Sequence, residues 1–445
     1  MRYIPNTPED RRGMFDEMGV RGFDELISDI PEHLRLKAPL DIPKALSEYE
    51  LLTELGAMAG ENSDASKNAC FLGGGAYDHF IPSVVQHIVS RSEYSTSYTP
   101  YQAEVSQGTL QAAFEYQSMV CELTGMDVAN ASMYDGASAT AEAALMAQRL
   151  TKRDEVAIST TVHPNYRRTL RTYLHGLGAP ILDIPYSATE GVADLDALAA
   201  DITEKTACVI LQYPNFFGCV EDIAEAVRLA HAKGALVVAV VDPISLGLLK
   251  SPGELGVDIA VGEGQGMGKT LSYGGPYLGF FASREANIRQ MPGRLVGETK
   301  DANGKRGYVL TLQAREQHIK RERATSNICT NEALVALMAT VYMAAMGRHG
   351  IRKVAELCLR KASYAMDELV NLPGAGRAFS APFCKEFVVK TKKGVSAVNK
   401  RLLKDRIIGG LDLGTYYPEL KNHSLIAVTE KRTKDEIGRL VKGFR

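Results

Sequence analysis

Residues 258–283 read DIAVGEGQGMGKTLSYGGPYLGFFAS, and the reading of this stretch decides the fold. Residues 258–261 are a short apolar run with β-branched side chains, which predicts a buried strand. Residues 277–282 predict the next strand. Between them glycine stands at 262, 264, 266, 268, 274 and 275, so the backbone turns tightly there or lies against something bulky. Lys269 sits in the middle. Two nucleotide motifs fail on spacing. Gly268-Lys269-Thr270 supplies the end of a P-loop, but the position five before Gly268 is Glu263 instead of glycine. The pattern G-x-G-x-x-G puts its third glycine on Met267 when counted from Gly262, and on Lys269 when counted from Gly264.

Outward from this loop the chain alternates strand and helix. Strands are predicted at 156–160, 207–213 and 235–242, with a helix at 223–233. That rhythm predicts an α/β fold with a mainly parallel sheet and helices on both faces. Ligands of such sheets gather at the carboxyl ends of the strands. His163, Gln212, Asn215 and Asp242 fall there. Asp242 follows six apolar residues, so its carboxylate must be solvated or paired. Either it holds the ring nitrogen of a pyridoxal cofactor, with His163 stacked on the ring, or it caps a helix before Pro243. Lys269 is correspondingly either the lysine of a pyridoxal loop or an exposed loop lysine. The segment MYDGASAT (133–140) leads into an alanine-rich helix at 141–150. Its Ser138 and Thr140 either mark a phosphate site at a helix start, or Ser138 is a plain N-cap.

Two glycine- and tyrosine-rich loops come earlier: FLGGGAYDHF (71–80), with Tyr77, Asp78 and His79, and YTPYQAEVSQG (98–108), with Tyr98, Tyr101 and Gln102. They line a site or are buried loops with satisfied hydroxyls. A helix is predicted at 109–124, ended by Gly125. Residues 1–65 carry helix signals, at Thr7-Pro8-Glu9-Asp10 and at 49–59, and few strand signals; they form an arm that packs on the body or on a partner. The charge run 313–330 predicts a solvated helix face. A helix at 331–346 should end by Gly350. Helices at 351–369 and 434–441 with strands at 386–391 and 425–428 predict a small α+β domain. The expected organisation is an arm (1–65), a large domain (66–330) and a small domain (331–445).

Composition bounds the function. The chain has 445 residues, 45% of them hydrophobic, and a formal charge of −2, so it has no bulk attraction to nucleic acid or an anionic membrane. Cysteines at 70, 121, 208, 219, 329, 358 and 384 show no metal spacing, so no metal site is expected and reduced thiols in the cytoplasm are. The polar start is unlike a signal peptide, and no run of about 18 apolar residues predicts a membrane span.

Longer motifs carry a resemblance: GGGAYDHFIP (73–82), YTPYQAEVSQGTLQ (98–111), ANASMYDGASATAEA (129–143), VHPNYRRTL (162–170), VVDPISLGLLK (240–250), the 258–282 segment and REQHIKRERATSNICTN (315–331). With them the chain resembles, over nearly its whole length, the α chains (subunit 1) of the glycine cleavage system P-protein, glycine dehydrogenase (decarboxylating). The resemblance implies the fold type I, aspartate-aminotransferase-like fold of pyridoxal-phosphate enzymes. It implies a cytoplasmic complex that decarboxylates glycine on pyridoxal phosphate and passes the aminomethyl group to the lipoyl arm of H-protein. It implies a β-chain partner, in a heterodimer or α2β2 complex, that carries the Schiff-base lysine and the cofactor. Counting back from Gly274-Gly275-Pro276 sets that lysine opposite Gln265, which cannot form an imine. Ser138, Thr140, His163, Asp242 and Gln265 are then relict cofactor positions. Tyr77, Asp78, His79, Tyr98, Tyr101 and Gln102 are the residues expected to reach the partner's site, and the chain alone should be inactive. Such α chains usually lack a lysine at position 269. A self-sufficient decarboxylase or aminotransferase using Lys269 therefore stands as one alternative, and a purely structural partner subunit as another.

Overall fold

The computed structural model describes residues 4–445. They form two compact units, one ending at Asn62 and one beginning at Ser63. In the first, helices Pro8–Met18 and Glu48–Gly60 each open with a capping box, Thr7 with Asp10 and Ser47 with Glu50. Neither helix has a buried residue, and Met14, Phe23, Leu34, Leu40, Tyr49 and Leu52 are exposed.

The second unit is built on a seven-stranded sheet. Its order is Val128–Ala129, Gly279–Ser283, Ile259–Glu263, Leu236–Val241, Thr206–Tyr213, Glu155–Ser159, Ile181–Ile184. The last five are parallel to one another. Gly279–Ser283 runs antiparallel to both neighbours. The physical reason is the glycine loop: no crossover helix carries the chain back, so the strand must re-enter from the end its neighbour left. Along Leu236–Val241, Val237, Ala239 and Val241 face a core shared with helices Gln107–Thr124 and Ala333–Val370. Val238 and Val240 face the opposite core, against Ala139, Ala143 and Ala147 of helix Gly136–Thr151. Both faces are covered, which is why these strands read as unbroken apolar runs. Glu155–Ser159 lies between the strands that follow it on either side, so the order switches direction at its carboxyl end, where ligands of such sheets bind.

Glu386–Lys390 and His423–Ala427 centre a four-stranded antiparallel sheet near the C-terminus. Ile407–Ile408 pairs in parallel with Ala69–Cys70. The C-terminal region thereby holds the chain just before the glycines at 73–75 and delivers residues 73–80 to the switch point.

Several local expectations are corrected. Helix Gly136–Thr151 starts earlier than 141, and its cap is Asp135, with Ser138 as the returning partner. The helical run Ala333–Val370 breaks at Gly347, not Gly350, because Gly347 takes φ +60° and ψ 179°. This run is long and apolar enough to cross a membrane by composition alone. The piece before the break, 333–346, is only about 21 Å long against the ~30 Å of a bilayer core, and its Val335, Ala339 and Tyr342 are buried in the body. The charge run is solvated only in part: Lys320, Arg321, Glu322 and Arg323 are exposed, but Arg315 and Glu316 are buried, and Arg315 donates to the carbonyls of Met291 and Gly293. Strand Ile181–Ile184 and the hairpin Leu295–Lys300 with Arg306–Thr311 lay outside the sequence reading.

Candidate functional site

The switch point is a cradle whose polar groups are all turned on one another. Asp242 ends the central strand. Its Oδ2 accepts from the Ser245 N–H at 3.0 Å and from the Ser245 hydroxyl, so it caps the turn that follows. Its Oδ1 accepts from the Lys385 ammonium at 2.8 Å. Burial pushes the Asp242 carboxyl up, but Lys385 and Ser245 outweigh burial and hold it below the usual range. Lys385 lies 3.5 Å from the centre of the Tyr77 ring, and its Nζ is 3.2 Å from His79 Nε2. An ammonium only donates, so His79 accepts at Nε2 and donates from Nδ1 to Glu430 at 2.7 Å. Burial alone would raise Glu430, yet the His79 and Phe80 hydrogen bonds bring it down to about 2.

The loop 73–80 closes this network. The Tyr77 hydroxyl donates to Glu386 at 2.7 Å, and Gly74 N–H donates to the same carboxylate at 2.7 Å. A Cβ on Gly73 would overlap Glu386, so glycine is what lets the loop lie this close. Asp78 pairs with Lys431 and Arg432 at 2.5 and 3.0 Å. Tyr77, Asp78 and His79 are thus engaged inside this chain. Their partners within the chain are the C-terminal charges Lys385, Glu386, Glu430, Lys431 and Arg432.

His163 caps helix Pro164–His175 through Nδ1, and its Nε2–H donates to the Gly74 carbonyl at 2.7 Å. Burial pushes this imidazole down to about 4. Its ring stacks on Tyr166, with centroids 4.8 Å apart. At the start of helix Gly136–Thr151, the Thr140 hydroxyl donates to Gly136 O and the Ser138 hydroxyl to Asp135 O, so neither points to an outside anion. The free Gly136 N–H donates to Glu263 Oε2 at 3.1 Å. Glu263 Oε1 accepts from the N–H of Leu278 (2.9 Å) and of Gln265 (3.0 Å). Burial pushes the Glu263 carboxyl up to about 8 against the pull of these three N–H groups.

Gln265 is 1% exposed and stitches two loops together. It accepts from Tyr77 N–H at 2.8 Å and donates to the carbonyls of Tyr77 (3.1 Å) and Lys269 (2.7 Å). Lys269 is half-buried in the turn that follows, and among the described residues its ammonium makes no hydrogen bond. His79, Cys358 and Glu430 place three ligand atoms within 4.8 Å of one another. The Lys385 ammonium beside His79 and the Lys361 ammonium on the Glu430 carbonyl already supply positive charge there.

Sequence reasoning missed Lys385, Glu386, Glu263 and Glu430. A signal existed for three of them. Glu263 ends an apolar strand just as Asp242 does, and Lys385-Glu386 opens another, FVV. Buried charges in such places need partners.

The pyridoxal cofactor does not fit this cradle as it stands. Asp242 holds an ammonium, Gly74 covers the open edge of His163, and a carboxyl fills the helix N-terminus.

The loop at 98–102 is the opposite case. Tyr98 is 77% exposed, Tyr101 is 62% exposed, and Gln102 is exposed. Beneath them Arg294 is 4% exposed, yet its hydrogen bonds to Thr99 and Tyr101 are long, 3.3 and 3.4 Å, and its Nε makes no hydrogen bond, lying 3.9 Å from the buried Glu316 carboxylate. A cavity of about 60 Å³ lies alongside, lined by Tyr94, Pro100, Arg294, Asn331 and Leu337.

Comparison with known proteins agrees over the full length. The family model for the glycine cleavage system P-protein matches residues 1–444. The chain is 57% identical over 437 residues to the probable glycine dehydrogenase (decarboxylating) subunit 1 of Desulforamulus reducens, covering 98% of each. It is 54% identical over 444 residues to the protein of the same name from Desulfitobacterium hafniense, covering 100% of this chain and 99% of that one. A crystal structure of glycine decarboxylase (P-protein) of the glycine cleavage system, in inhibitor-bound form, superposes with a TM-score of 0.90 at 43% identity, covering 100% of this chain and 99% of the other.

Proposed function

The chain belongs to the glycine cleavage system P-protein family, and from that premise we propose that it is subunit 1 of a heteromeric glycine dehydrogenase (decarboxylating), working beside a partner chain that carries pyridoxal phosphate and the Schiff-base lysine. The fold is that of the fold type I pyridoxal enzymes. The observation that carries the reading is Gln265, a buried, fully bonded amide at the position the resemblance assigns to the lysine. A chain so built contributes to glycine decarboxylation through what it presents to the partner. Tyr98, Tyr101 and Gln102 are the expected contributors that remain exposed. Their role in this reading is to shape the glycine pocket and the channel for the H-protein lipoyl arm and to exclude water. The exposed apolar residues of the N-terminal unit supply further surface for a cytoplasmic partner.

The test is release of CO₂ from carboxyl-labelled glycine by the reconstituted two-subunit enzyme. Replacing Tyr101 by Ala should lower turnover by about tenfold or more while the complex still assembles. Unchanged turnover in both Tyr98→Ala and Tyr101→Ala complexes would leave the chain a purely structural partner.

A further inference from the structure

We propose that the cradle is a pyridine-phosphate site closed by two tethered side chains: the Lys385 ammonium stands in for the ring nitrogen on Asp242, and the Glu263 carboxyl stands in for the phosphate at the start of helix Gly136–Thr151.

Each contact such a ligand would make has an internal substitute. A protonated ring nitrogen offers one N–H to a carboxylate. Lys385 Nζ offers the same donor to Asp242 at 2.8 Å, from a side chain 4% exposed. A phosphate at a helix N-terminus gathers main-chain N–H groups. Here the N–H groups of Gly136, Gln265 and Leu278 converge on the Glu263 carboxyl. The ring itself would lie against His163. That imidazole instead meets the Gly74 carbonyl, and the Tyr77 ring covers Lys385. Asp242, His163 and Gln265 are all hydrogen-bonded, so a free ligand gains nothing until it expels its substitutes.

Tethering decides that competition. A side chain on the same fold meets its partner at an effective concentration of roughly millimolar or more and loses little translational freedom on pairing. Nor can Lys385 serve as an imine lysine. The aldehyde carbon of pyridoxal is para to the ring nitrogen, and Lys385 sits at the nitrogen's end. The inference rests on the fold and on contacts within this chain, not on the role given to the Tyr98 loop.

The probe is pyridoxamine phosphate, which has no aldehyde and so forms no imines with surface lysines. It is titrated calorimetrically into the full chain. The wild type should show no saturable binding up to about 1 mM. Lys385→Ala combined with Glu263→Ala should bind at least ~100-fold more tightly. Glu263→Ala alone should gain a rise in Tm with inorganic phosphate that the wild type lacks. Micromolar binding by the wild type overturns the proposal. So does a double variant that is folded by circular dichroism and binds no better than the wild type. Should the double variant not fold, the wild-type titration and the phosphate shift of Glu263→Ala still decide.

Discussion

The cradle around Asp242 and the loop around Tyr98 lie in the same unit and were expected to share a function, yet they are built on opposite terms. In the cradle the carboxylates have short partners: Asp242 with Lys385, Glu430 with the His79 N–H, Asp78 with Lys431 and Arg432. At the loop, two tyrosines face outward over a buried guanidinium that makes only two long side-chain hydrogen bonds and stands 3.9 Å from its counter-ion Glu316. Satisfied polar groups hold a structure rigid and have no remaining capacity for a ligand. Unsatisfied ones keep that capacity. In the proposed reading the two regions do different work: the cradle fixes the fold, and the loop is what the chain presents to its partner.

The contrast makes measurable predictions. The largest effect should come from Lys385→Met. It keeps the stem but leaves the Asp242 carboxylate buried and unpaired, which should cost about 3–5 kcal/mol in chemical denaturation. A cost under about 1 kcal/mol would mean that Asp242 is solvated and the cradle open.

A smaller effect is expected with pH. Glu263 is pushed up to about 8, and Glu386 and Glu221 to about 7, all chiefly by burial. Their folded pKa values lie above the unfolded ones, so the stability they contribute is complete below about pH 4.5 and is lost as pH rises through 7 to 8. Glu430, held at about 2, acts only in acid. Tm should therefore fall between about pH 4.5 and 8, and Glu263→Gln should flatten the slope. A flat wild-type profile would contradict the burial of these carboxyls.

The smallest stability effect belongs to Arg294→Lys. Its long hydrogen bonds are worth about 1 kcal/mol together, so Tm should barely move. The planar fork beneath Tyr101 would nevertheless be lost, and turnover of the two-subunit enzyme should fall as it does for Tyr101→Ala. Full activity in Arg294→Lys would show that the loop needs no support from below.

Much of this was legible along the chain. The unbroken apolar runs at 207–211 and 235–241 announced a sheet covered on both faces, because only burial on both sides removes the polar alternation. Asp242 was legible for the converse reason: a carboxylate at the end of such a run must find a partner. The partner itself was not legible. Lys385 stands 143 positions away, just before a strand of the C-terminal sheet, and nothing in the spacing of either segment ties them together. The same gap hid the intrachain partners of Tyr77, Asp78 and His79. A glycine-rich loop with polar side chains reads alike whether those side chains face a ligand or another part of the chain.

By itself, then, the sequence determined the period of its strands and helices, the Thr7 cap of the first helix, and the glutamine where a lysine would be required for an imine. These depend on neighbours a few residues apart. Only the tertiary structure decided which charges meet. It set Glu263 on Gly136 by packing helix Gly136–Thr151 against the central sheet, and Lys385 on Asp242 and Glu430 on His79 by bringing the C-terminal region to the carboxyl ends of the central strands.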